Sequence, residues 1–127
     1  MDNIYSSDLM EIYKDPSFKG TLSAATNRVD GHNPFCGDQV HLDLMIVDGV
    51  IQDARWQGDM CFVSSIGAEF LLEAVIGKHV EAVQTFDQRQ LLDLMGLNLS
   101  TSRIACATLT LKALHEALDE YQKANNG

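Results

Sequence analysis

The chain has 127 residues, 46% of them hydrophobic and 21% charged, with two prolines and a formal net charge of −9. That length suits a single domain, residues 1–127, able to bury a core without disulfide staples, and the composition is that of a folded globular protein rather than a disordered one. The acidic balance leaves little basic surface for phosphate neutralisation, which argues against nucleic-acid binding. No apolar run is long enough to cross a bilayer, so no membrane role is expected.

The N-terminal stretch, MDNIYSSDLMEIYKDPS, carries no basic segment followed by an apolar one and reads as the start of a cytoplasmic protein. Ser6 and Ser7 are placed to cap a short helix with Leu9, Met10, Ile12 and Tyr13 at helical spacing, stopped by Pro16. Residues 22–29 are expected to add a strand. From Val40 to Ile46 the alternation is that of a strand, with Val40, Leu42, Leu44 and Ile46 inward and His41, Asp43 and Met45 outward. Asp48-Gly49 is a hairpin signal, Val50 to Trp56 is the returning strand, and Gly58 breaks the ladder.

After Cys61 the pattern turns helical. Ser64 or Ser65 is the expected cap, Ile66, Phe70, Leu71, Ala74 and Val75 trace an apolar stripe, and Gly77 ends the helix. A second helix starts near Asp87, with Gln90 at the capping-box position, and ends at Gly96. A last, long helix is expected from about Ser102 to Lys123. Strands followed by helices predict an α+β domain: a small antiparallel sheet of about three strands, with helices packed on one face.

Each of the three cysteines falls at the edge of an element, and their wide spacing suits reduced thiols better than a disulfide framework. If they converge, Cys36, Cys61 and Cys106 with Asp38 complete a tetrahedral shell suited to zinc or a single iron, at one edge of the sheet. Gly37 permits the tight turn that lets residues 36 and 38 face one point, and Asn33-Pro34 fixes the approach. Cys61 and Cys106 are expected near helix N-termini, where free amides and the helix dipole favour anionic sulfur. Arg103, three residues before Cys106, is placed to stabilise that charge. His32 lies near the turn, while His41, His79 and His115 read as exposed.

The order Asn33-Pro34-Phe35-Cys36-Gly37-Asp38, then Gly58-Asp59-Met60-Cys61 opening a helix, then Arg103-Ile104-Ala105-Cys106-Ala107-Thr108-Leu109, resembles the NifU-like, IscU-like iron–sulfur cluster assembly scaffolds and the related SufU proteins. The resemblance extends from the Tyr5 helix through Gly77-Lys78 to the last helix. It implies an α+β scaffold that accepts sulfur from a cysteine desulfurase, assembles a transient [2Fe–2S] cluster on Cys36, Asp38, Cys61 and Cys106, and passes it to acceptor proteins. It further implies that Zn2+ occupies the same shell in the cluster-free form, and that Cys106 and Cys36 are the candidate persulfide acceptors.

There are departures. Ala105 stands where IscU-type chains have histidine and SufU-type chains usually have lysine. Residues 99–102, Leu-Ser-Thr-Ser, lack the Leu-Pro-Pro-Val-Lys motif that recruits a dedicated Hsp70 chaperone, so that partner is not expected. Met60 replaces a glycine, and the serine-rich stretch is altered to Ser64-Ser65-Ile66-Gly67. Arg103 and the Cys106-Ala107-Thr108-Leu109 run are SufU-like, whereas the interval from 61 to 106 is too compact for the extra SufU segment. Two roles follow: a non-enzymatic scaffold, which the resemblance favours, or a zinc-dependent sulfurtransferase in which Cys36 carries sulfur.

Overall fold

The computed structural model describes residues 7–34 and 37–126. Helix α1 is Ser7–Lys14, and the strands β1 (Asn27–Asn33), β2 (Asp38–Val47) and β3 (Val50–Gln57) form an antiparallel sheet in the order β1-β2-β3. Five helices follow: α2 (Phe62–Val75), α3 (Val80–Gln84), α4 (Gln88–Met95), α5 (Thr101–Ala107) and α6 (Leu109–Asn126). The fold is α+β, as the order of patterns predicts. Asp48 and Gly49 take φ of 53° and 77°, the turn expected between β2 and β3.

Val40, Leu42, Leu44 and Ile46 of β2, with Ala54 and Trp56 of β3, face the helices and are buried. Helix α6 packs on β1 and β2, and α2 packs on β3. Helix α2 is the centre of the helical layer, touching α1, α4, α5 and α6 as well, and it is therefore buried on nearly every side. One of its buried groups is charged. Glu69 accepts hydrogen bonds from the Trp56 indole N–H at 2.8 Å, from Ser17 N–H at 2.7 Å and from Phe18 N–H at 3.0 Å. This carboxylate draws the segment after α1 onto the open edge of β3, where Trp56 N–H donates to the Phe18 carbonyl at 2.9 Å. Residues 77–80 cover the other end of that edge through Ile51 N–H to Lys78 O and Val80 N–H to Gly49 O.

The structure corrects several expectations. The first strand is Asn27–Asn33, not residues 22–29. Leu22 instead turns its N–H to the Asp43 carboxylate, and pairing begins where Asn27 meets Leu44. Asp43, read as outward, is 2% exposed because that same segment covers it on the outer face. Helix α2 starts at Phe62 with Cys61 as its cap, and both Ser64 and Ser65 lie inside it. Residues 80–84 add an unexpected short helix, α3. The long last helix is two, interrupted at Thr108, whose hydroxyl and N–H both donate to the Ile104 carbonyl. The α4 capping box between Asp87 and Gln90 is present, closed at the other end by Gly96.

At Gly67 α2 comes close to the end of α5. A Cβ there would stand 2.2 Å from the Ala107 carbonyl oxygen. Gly67→Ala gains about 1 kcal/mol in helix propensity but forces two backbones apart, and overpacking of this kind costs roughly 1–3 kcal/mol. Net destabilisation is expected, read as a lower urea midpoint with unchanged slope.

His41 lies on the outer face, its Nδ1 2.8 Å from Asp30 and its Nε2 2.8 Å from Asp43, and Arg28 also approaches Asp43 at 3.4 Å. The Asp30 hydrogen bond, helped by that to Asp43 and by both charges, raises the His41 pKa above its ordinary 6.5, although partial burial opposes this. A raised folded-state pKa means a contribution fully present below the unfolded value and lost as pH climbs through the folded one. His41→Gln should therefore destabilise the protein more near pH 5 than near pH 9, on the order of two units either side of neutrality. Equal losses in urea titrations at both pH values would rule out the imidazolium.

Candidate metal centre

Asp38 opens β2 opposite Asn33, the last residue of β1, and the turn between them is closed by Gly37 N–H donating to the Asn33 carbonyl at 2.9 Å. Gly37 has φ of 76°, the left-handed conformation that the tight turn requires. Cys61 comes from the connection between β3 and α2. That connection is pressed against the start of β2: a Cβ on Gly58 would lie 2.0 Å from the Gln39 carbonyl oxygen, and Gln39 N–H donates to the Asp59 carbonyl at 3.0 Å. Only a residue without a side chain fits there. Cys106 comes from α5, held against α2 by the Gly67 contact.

These three constraints bring the Asp38 carboxylate, the Cys61 sulfur and the Cys106 sulfur within 4.8 Å of one another. A tetrahedral ion with bonds of about 2.3 Å to sulfur and 2.0 Å to oxygen separates its donors by about 3.5–3.8 Å, so closure needs movements of about 1 Å or less. Two thiols and a carboxylate suit Zn2+ or iron. Asp38 and Cys106 are buried, at 7% and 8% exposure, whereas Cys61 is exposed. Among the described residues the centre is thus open at Cys61.

Polar groups surround the donors. Cys61 caps α2, and its sulfur accepts from Ser64 N–H at 3.5 Å, a cysteine doing what serine or aspartate usually does. Asp38 accepts from Cys61 N–H at 3.2 Å on Oδ1 and from the Ser64 hydroxyl at 2.5 Å on Oδ2. Asn33, 6% exposed, directs its side-chain N–H group to the Cys106 sulfur at 3.9 Å.

Of the residues singled out from the sequence, Asp38, Cys61 and Cys106 are brought together. Cys36 lies outside the described residues. Cys106 is not near the start of its helix: it is the sixth of the seven residues of α5, because the interruption at Thr108 ends α5 there. The N-terminal amides of α5 therefore point elsewhere. Arg103 is exposed and forms no ion pair among the described residues. Ala105 is exposed, in a shallow groove shared with Asn33, Pro34 and Lys112. His41 and His115 are half-buried rather than exposed, and His115 Nε2 lies 3.3 Å from the Val83 carbonyl. Sequence reasoning missed the contacts of Ser64 and Asn33. Both contacts join residues far apart along the chain, Ser64 with Asp38 and Asn33 with Cys106, so local spacing carried no signal for them.

No helix among the described residues is long and apolar enough to cross a membrane. The family model of the NifU-like N-terminal domain matches residues 4–127. The zinc-dependent sulfurtransferase SufU of Bacillus subtilis is 28% identical, over 98% of this chain and 96% of its own length. The iron-sulfur cluster assembly scaffold protein IscU of Thermotoga maritima is 29% identical, over 94% of this chain and 96% of its own. The crystal structure of the N-terminal part of a nitrogen-fixing NifU-like protein from Brucella abortus superposes with a TM-score of 0.77 at 18% identity, covering 94% of this chain and 95% of that one, and so shares the fold. With its match running over almost every residue, and with two thiols and a carboxylate gathered where its motifs lie, the chain belongs to the NifU-like N-terminal domain family.

Proposed function

We propose that this protein is an iron–sulfur cluster assembly scaffold: it accepts sulfur from a cysteine desulfurase, builds a transient [2Fe–2S] cluster and yields it to acceptor proteins. The observation that carries the reading is the convergence of Asp38, Cys61 and Cys106 in a centre open at Cys61. A structural zinc ion has all four coordination positions filled by protein ligands, with none offered for exchange. A cargo site needs an exposed ligand through which a recipient thiol can enter. In this proposal Cys36 is the fourth ligand, Cys36 and Cys106 are the candidate sulfur acceptors, and Arg103 offsets the negative charge of the sulfurs. The Asp38 carboxylate is a harder and more exchangeable ligand for iron than thiolate, which suits temporary holding.

A second reading is favoured by the similarity to SufU. In it the same donors hold Zn2+, and the protein is a sulfurtransferase that receives persulfide sulfur on Cys36. The two separate in one experiment. The purified protein is incubated anaerobically with a cysteine desulfurase, cysteine, ferrous iron and dithiothreitol, the thiol that supplies the electrons for reducing persulfide sulfur to sulfide. A red-brown chromophore that moves to an apo-ferredoxin supports the scaffold. Retained zinc with accelerated desulfurase turnover, and no chromophore, supports sulfur transfer.

Asp38→Ala should lengthen the lifetime of the assembled cluster and slow its transfer, since a labile oxygen ligand is removed. A variant that never acquires the chromophore would oppose the labile-ligand role.

A further inference from the structure

Ser64 is 1% exposed in the first turn of α2, and its hydroxyl plays no part in starting that helix. The cap is Cys61, and what Ser64 gives the cap is its backbone N–H, which any residue except proline would supply. The buried hydroxyl is used otherwise. It donates to Asp38 Oδ2 at 2.5 Å, and its oxygen lies 3.3 Å from the Cys61 sulfur. Asp38 Oδ1 meanwhile accepts from Cys61 N–H at 3.2 Å. Each oxygen of the carboxylate is thus addressed by the first turn of the helix whose cap is another donor.

A lone aspartate at the beginning of a strand can rotate about two side-chain torsions and present either oxygen, or neither, to an ion. A donor on one oxygen removes that freedom and fixes which lone pair faces the metal. Partners of this kind orient ligands in metal sites, and their loss typically weakens metal affinity by about 10- to 100-fold. We propose that Ser64 is the positioning residue that orients Asp38 toward Cys61 and Cys106, and so sets the affinity of the centre for a divalent cation. The inference rests on the metal-centre reading above, and it concerns how tightly the centre holds an ion, whichever of the two roles the ion serves.

The test is a double-substitution cycle in the full chain: Ser64→Ala, Asp38→Ala and both together. Binding of Zn2+ alone is measured by competition with a chromophoric chelator, binding of Co2+ alone by its visible absorption, and folding by far-ultraviolet circular dichroism. Ser64→Ala is expected to keep the helical signal, to weaken Zn2+ binding by about tenfold and to alter the Co2+ bands. In the Asp38→Ala background the same substitution should change affinity by less than about twofold, because the residue through which it acts is gone.

An equal loss in both backgrounds, or no loss in the wild-type background, would overturn the proposal. Ser64→Thr keeps the hydroxyl and should hold Zn2+ within about threefold of wild type, well inside the loss expected on removing the donor. A folded threonine variant as weak as the alanine one would count against the hydroxyl, and this comparison stands even if alanine prevents folding. Wild-type protein that binds neither ion would sink the metal-centre reading, and with it this inference, a result distinct from a wild type that binds and a Ser64 that does not matter.

Discussion

The backbone of α2 touches the backbone of α5 at Gly67, and the candidate centre depends on that contact. Two helices whose backbones meet without an intervening side chain must cross closely, and the carbonyl of Ala107 occupies the space that any larger residue at position 67 would fill. A glycine in the middle of a buried helix costs about 1 kcal/mol relative to alanine. Here the approach it permits brings Cys106, on α5, to Cys61, at the cap of α2. The sulfurs are neighbours because their helices are in contact, and no local motif joins them.

Around this contact the protein spends its buried polar groups on joining segments that have no extended hydrogen-bond ladder of their own. Glu69 gathers the indole of Trp56 and the amides of Ser17 and Phe18, tying the region after α1 to the edge of the sheet. Asp43 does the same for Leu22, while Arg28 and His41 of the sheet also approach it on the outer face. Asp38 is the third buried carboxylate, and two of its donors, Cys61 N–H and Ser64 Oγ–H, come from the start of α2. The first two are surrounded by ordinary donors and serve the fold. The third stands beside two sulfurs, and that separates a structural carboxylate from a candidate ligand.

Exposure divides the centre unevenly, with Cys61 open and Asp38 and Cys106 covered. A cap position is naturally at the surface, since it is where a helix emerges from a loop, whereas a residue near the end of a packed helix is not. In the proposed role the exposed donor would offer an incoming thiol a route, while Asn33 and Ser64 contact the covered ones. Exchange at one ligand with retention at the others is the behaviour a carrier of metal or sulfur requires.

The sequence by itself determined the sheet, the hairpin at Asp48-Gly49, the capped helix after Asp87 and the residue types of the centre, because alternation, turn chemistry and capping are local and act over a few residues. It also carried the family resemblance, since the motifs around Asp38, Cys61 and Cys106 are short and keep their order. It did not determine where β1 begins, because residues 22–26 are shaped by the distant Asp43, nor that Asp43 itself is buried beneath them. It did not reveal the interruption at Thr108, whose helical periodicity continues across the break, and so it misplaced Cys106 at the beginning of a helix. Only the tertiary structure decided that Cys61, rather than a serine, caps α2, and that Ser64 reaches Asp38. Those outcomes depend on which long-range neighbour a hydrogen-bonding group meets once the helices have packed, and spacing along the chain carries no record of that.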